Sequence, residues 1–94
     1  MLALAALSQL QEPHYGYSLI DELARQGLEI DQGTLYPLLR RLEEQGLLES
    51  SWNVEGARPR RYYALSPAGK RLLPRLAQDW QQLTSVIQGI LEQG

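Results

Sequence analysis

Between Arg58 and Arg75 the chain carries six basic residues, Arg58, Arg60, Arg61, Lys70, Arg71 and Arg75, and no acidic one. Three of the arginines crowd into the stretch Gly56-Ala57-Arg58-Pro59-Arg60-Arg61-Tyr62-Tyr63. Arginines at this density do not break or form bonds. Their planar, permanently charged forks donate to phosphates and to base edges, so the chemistry they suit is recognition of a polyanion. The whole chain is acidic, with a net charge of −2, and residues 12–31 hold five acids against Arg25 alone. Charge is therefore segregated along the chain, which favours an anionic partner over a merely solvated surface.

The groups an enzyme would need are missing. The absence of cysteine excludes disulfides, thiolate metal sites and thiol catalysis. His14 is the single histidine, so it cannot form a metal site alone, and it reads as a loop residue near the anionic partner. Asp21 and Glu22 are neighbours in a helical stretch and diverge in direction. No nucleophile–base pair or paired carboxylate is visible, so neither an enzyme nor a cofactor is expected. A chain of 94 residues is one domain's length, and a domain this small is only marginally stable alone. The longest apolar run, at Met1 to Leu7, falls well short of the roughly 20 residues that cross a membrane. The N-terminus lacks the basic region and cleavage site of a secretory signal, so a cytoplasmic location is expected.

The elements that must position the arginines follow from periodicity. Residues 2–10 are small or apolar and predict a short buried helix ended before Pro13. Glu12 to Gly16 reads as a loop, and Tyr17 to Gln26 as a second helix with Leu19, Ile20, Leu23 and Ala24 at helical spacing. A third helix carries the stripe Leu35, Leu38, Leu39 and Leu42 and stops at Gly46. Its cap is Asp31 or Thr34. With Thr34 as cap, Pro37 falls in the first turn, where its missing donor costs nothing. With Asp31 as cap, Pro37 lies in the second turn, and the helix must start tight or bent against Gly33. Leu47 to Trp52 and Arg60 to Leu65 read as two strands of a hairpin, with Trp52 packed beneath it. Ser66 and Pro67 then open a long final helix reaching about Gln93, with a bend expected between Lys70 and Pro74.

That final helix has its own pattern. Leu73, Leu76, Trp80, Leu83, Ile87 and Ile90 are spaced 3, 4, 3, 4, 3, which is a heptad seam. A helix of about 27 residues at about 1.5 Å each would extend about 40 Å and overhang so small a body. A homodimer is the expected use. Trp80 in that seam is either a bulky interface residue or a stacking surface for a flat aromatic ligand between the two chains.

The expected fold is mainly α with a small β-hairpin: a winged helix-turn-helix with a long C-terminal dimerisation helix. Residues 1–66 form the DNA-binding domain and residues 67–94 the dimerisation helix. A helix fits the major groove, and a hairpin beside it can set arginines on phosphates or in the minor groove. The expected DNA-binding residues are Tyr17, Gln32, Gly33, Thr34, Tyr36, Arg40, Arg58, Arg60 and Arg61. Several have a plainer alternative. Tyr36 and Tyr17 could be packing aromatics, and Gln32 and Thr34 could serve only to cap the helix. Alternation along a strand keeps Arg60 and Arg61 from facing the same surface, and likewise splits Tyr62 from Tyr63.

The residues also resemble a known family. Tyr15-Gly16-Tyr17, then Gly33-Thr34-Leu35-Tyr36-Pro37, then Arg40-Arg41-Leu42-Glu43 with Gly46-Leu47, then the arginine-rich stretch and Leu65-Ser66-Pro67-Ala68-Gly69, are similar in this order to PadR-type transcriptional regulators. The resemblance spans about residues 2–75. It implies a dimeric repressor that binds a pseudo-palindromic operator in double-stranded DNA. It also implies dimerisation through the last helix, where an aromatic residue can help bind a small aromatic effector. The competing reading is a winged-helix protein-interaction module without sequence-specific DNA binding; the basic run argues against it.

Overall fold

The computed structural model describes residues 2–54, 56 and 59–93. In chain order the elements are α1 (Leu2–Gln9), β1 (His14–Tyr15), α2 (Gly16–Arg25), α3 (Gln32–Glu44), β2 (Leu48–Asn53), β3 (Arg60–Leu65) and α4 (Pro67–Gln93). The core is built largely from leucines of the first three helices. Leu7, Leu10, Leu19, Leu35 and Leu39 are fully buried, and the hairpin closes over them with Leu48, Tyr63 and Leu65. The arrangement is mostly helical with a small antiparallel sheet, as the hydrophobic spacing predicts.

One element was not expected. His14 and Tyr15 form an edge strand, so the sheet has three strands in the order β1-β3-β2, with β3 in the centre. His14 pairs with Tyr63 and Tyr15 with Tyr62. A two-residue strand is too short to show a period, and the pairing depends on tyrosines from distant parts of the chain. Consequently α2 starts at Gly16 rather than Tyr17.

The helix ends are specified locally. Helices α2 and α3 both stop at a glycine in the left-handed region, Gly27 at φ 99° and Gly46 at φ 79°. In each, the following residue donates back across the turn, Leu28 to the Leu23 carbonyl at 2.8 Å and Leu47 to the Leu42 carbonyl at 2.9 Å. At the start of α3 the cap is Asp31. Its Oδ1 accepts the Thr34 N–H at 2.8 Å. Pro37 therefore lies in the second turn, and the helix starts tight: the Thr34 N–H also lies 3.2 Å from the Asp31 carbonyl. The carbonyl of Gly33, which Pro37 deprives of a donor, lies on an exposed residue that water can reach.

The capping bond from Thr34 holds the Asp31 carboxyl below its usual range. A depressed carboxylate contributes stability that is complete above its unfolded value of about 3.9 and is lost as pH falls through the lower folded value. Thermal melting of Asp31→Asn, which keeps the cap without a titrating group, should therefore lose less stability than wild type between about pH 4 and pH 2. Parallel loss in both proteins would show that the cap does not depend on the ionised form.

The last helix divides in two. Leu73 and Leu76 pack against the core of the same chain, whereas Trp80, Leu83, Val86, Ile87, Ile90 and Leu91 are exposed. The first two seam positions are thus partly engaged within the chain, and the helix continues through Pro74. Trp52 also departs from expectation: it is 63% exposed, not packed beneath the hairpin. Ser50, on the same face and two residues nearer the core, takes the place facing α3. No helix among the described residues is long and apolar enough to cross a membrane.

Candidate nucleic-acid interface

The first turn of α3 presents Gln32, Gly33 and Thr34 on the surface, with Arg40 exposed two turns further along. The Asp31 cap already takes the Thr34 N–H, so Thr34 offers its hydroxyl to a partner. Tyr36 packs inward in part. It is half-buried against the core, and its ring lies over Gly16 at the start of α2. A Cβ on residue 16 would lie 2.3 Å from a carbon of that ring, which explains a glycine between two tyrosines. Tyr36 thus fixes the angle between α2 and α3 by packing. Tyr17 is 65% exposed beside it, which removes the core alternative for that residue.

A groove of about 570 Å³ runs between these helices and the hairpin, lined by Tyr15, Tyr17, Tyr36, Tyr63, Arg60 and Arg61 among others. Its hairpin side is held by aromatic contacts. Tyr15 and Tyr62 stack with ring centres 3.9 Å apart and planes at 24°. Asn53 Nδ2 donates to the Tyr15 hydroxyl at 3.2 Å. A hydrogen bond with Tyr62, and then burial, push the Tyr15 phenol above its usual range. The Arg60 guanidinium lies over the Tyr15 ring at 5.2 Å, a contact worth about 0.5–1 kcal/mol at an exposed site.

Arg60 and Arg61 go to different places, as strand alternation requires. Arg60 is exposed and makes no ion pair among the described residues. Arg61 is on the face toward α3. Its Nη2 donates to Glu43 Oε1 at 2.9 Å and its Nε donates to Ser50 Oγ at 2.9 Å. Ser50 Oγ in turn donates to Glu43 Oε2. Tyr63 is buried and Tyr62 lies on the opposite face. Arg58 falls outside the described residues.

The structure therefore brings Tyr17, Tyr36, Arg60 and Arg61 to one groove, with Gln32, Gly33, Thr34 and Arg40 exposed along α3. Tyr36 also packs over Gly16, and Arg61 is bonded to Glu43. Sequence reasoning missed Tyr15, Ser50 and Glu43 as parts of this surface. The signal for Ser50 and Arg61 lay in hairpin parity, because positions 50 and 61 share a face once the strands are registered. On the seam, Trp80, Leu83, Ile87 and Ile90 are between 40% and 62% exposed, an apolar stripe of the kind that marks an interaction site.

Comparison with known proteins agrees with this architecture. Residues 3–75 match the Transcriptional regulator PadR-like family. Over 75 residues the chain is 40% identical to Transcriptional regulator Rv3488 of Mycobacterium tuberculosis, covering 80% of this chain and 70% of that protein. The fold matches the crystal structure of a PadR family transcriptional regulator from Eggerthella lenta with a TM-score of 0.94 and 45% identity, covering 99% of this chain and 83% of that one. It matches a PadR family transcription regulator from Clostridium difficile with a TM-score of 0.86 and 27% identity, covering 96% and 97%. The chain belongs to the PadR-like family of transcriptional regulators, DNA-binding proteins that are not enzymes.

Proposed function

We propose that this regulator is a repressor that binds a pseudo-palindromic operator as a homodimer. In this reading α3 enters the major groove and the hairpin lies along the adjoining backbone. The observation that carries it is the exposed row Gln32, Gly33, Thr34 and Arg40 on α3 beside Arg60 of the hairpin, which is exposed and makes no ion pair among the described residues. One element offers groups for base edges, and its neighbour offers charge for phosphate. Arg58, by its position in the sequence, adds to the hairpin's charge. Helix α4 serves for dimerisation, its apolar stripe pairing two copies so that their α3 helices reach major grooves about 34 Å apart or a multiple of that. Trp80 lies in that seam, and its indole offers a stacking face for a small aromatic effector that would relieve repression.

Fluorescence anisotropy on the duplex upstream of the protein's own gene, with a scrambled duplex as control and salt varied, tests this. Wild type should prefer the native duplex and show a steep salt dependence. Arg60→Ala should weaken binding to both duplexes alike and reduce the salt slope by about 1, while Arg40→Ala should cost about 1–3 kcal/mol on the native duplex and narrow the preference. Absence of binding to any duplex at low salt would put the protein-interaction reading in first place.

A further inference from the structure

Arg61 sits where a tally of charge would place another phosphate contact, yet its guanidinium is already occupied. Glu43 near the end of α3, Ser50 on β2 and Arg61 on β3 form a closed ring of hydrogen bonds, with both Arg61 contacts at 2.9 Å. The ring is half-buried: the Arg61 side chain is 38% exposed and that of Glu43 27%. Two aromatic rings flank the guanidinium, with Trp52 centred at 5.8 Å and Tyr63 at 5.5 Å. The pair with Glu43 neutralises the charge that a phosphate would need, and the neighbouring rings restrict the fork's freedom to swing away.

We infer that Arg61 is a positioning residue: with Glu43 and Ser50 it locks the hairpin to α3, and DNA affinity depends on that lock instead of on a phosphate contact from Arg61. The inference rests on the DNA-binding reading above. Its physical basis is that the two elements that touch DNA are separate. Base contacts from α3 and phosphate contacts from Arg60 add only if both elements are held in one geometry, and a supporting shell left loose forfeits that. The lock joins the strands carrying Ser50 and Arg61 to the helix carrying Arg40, beside the groove that Arg61 itself lines.

The test uses anisotropy with the full chain and the duplex upstream of its own gene. Glu43→Ala, Ser50→Ala, Arg61→Ala and the Glu43→Ala/Arg61→Ala double variant are compared with Arg60→Ala across salt. The lock predicts that each of the three single variants weakens binding by about three- to thirtyfold, and that the double variant loses no more than the worse single one. The salt slope should stay at the wild-type value in all of them and fall by about 1 in Arg60→Ala. Glu43→Ala is the most telling, because removing an acid beside DNA should otherwise strengthen binding. If Glu43→Ala binds as tightly as wild type or tighter, and Arg61→Ala lowers the slope as Arg60→Ala does, Arg61 is a phosphate contact and the inference is overturned. Ser50→Ala removes one hydroxyl and no charge, so it keeps the test available should a charge variant fold poorly. Thermal unfolding of the same set must also show non-additive coupling between positions 43 and 61; additivity overturns the lock without reference to DNA. Failure of wild type to bind any duplex would instead fault the DNA reading.

Discussion

Replacing Leu83 and Ile87 together by aspartate is expected to convert the proposed homodimer to a monomer and lower its DNA affinity by about 100-fold or more. Both residues are about half exposed in the single chain, at 50% and 47%, and both lie on the heptad seam beyond the part of α4 that packs on its own core. In a two-fold symmetric pair each substitution counts twice. Burying one such side chain contributes about 1.5–3 kcal/mol, and an aspartate in its place would bring an unpaired charge into the interface. The loss in DNA binding follows from valency: one half-site engaged instead of two removes the effective concentration that the first contact gives the second. The fold itself should survive, because Leu73 and Leu76, which pack on the body, are untouched. Light scattering should report the mass of one chain at micromolar concentration, with circular dichroism unchanged. A double variant that stays dimeric would move the interface to another surface.

What the sequence made legible follows from the range of the interactions involved. Elements with several turns of their own period were readable: the Leu35-Leu38-Leu39-Leu42 stripe is buried, the return strand spans Arg60–Leu65, and α4 starts at Pro67 behind Ser66. Strand alternation also correctly separated Arg60 from Arg61 and Tyr62 from Tyr63. What parity could not supply was the partner across the gap. The two residues of β1 show no period; they are strand because Tyr62 and Tyr63 pair with them. The cap of α3 stayed open between Asp31 and Thr34 because both are good caps, and only the contact between them decides it. Arg61 illustrates the same limit at the candidate site. Its charge was visible and its face was visible, yet its commitment to Glu43, eighteen positions earlier, is a tertiary fact. The packing of the Tyr36 ring over Gly16, twenty positions earlier, is likewise a tertiary fact.

Gly69→Ala should be the most destabilising change of a single methyl group in the hinge between body and last helix, and Gly89→Ala should do the opposite. In a helix interior, glycine to alanine ordinarily stabilises by about 1 kcal/mol. At Gly89 a Cβ would meet nothing within 4 Å, and the position lies off the seam, so the ordinary gain is expected. At Gly69 a Cβ would lie 2.2 Å from the Leu47 carbonyl oxygen and 3.1 Å from a Leu65 methyl carbon. The carbonyl cannot move aside freely. It accepts the Ser66 N–H at 3.0 Å, while Ser66 Oγ accepts the Gly69 N–H at 3.1 Å and donates to the Gly46 carbonyl. These bonds stitch the end of α3 to the start of α4, so a shift that relieves the clash breaks the cap. Overpacking of this kind costs about 1–3 kcal/mol or more, enough to outweigh the helical gain. With about 4–8 °C of melting temperature per kcal/mol for a domain this size, a net loss of about 1–2 kcal/mol puts Gly69→Ala roughly 5–15 °C below wild type, and Gly89→Ala should melt a few degrees above it. Both melts belong at one protomer concentration, because self-association in the proposed homodimer would add to stability. If Gly69→Ala melts with or above Gly89→Ala, helix α4 does not approach the Leu47 carbonyl this closely, and the angle at which α4 leaves the body must be different.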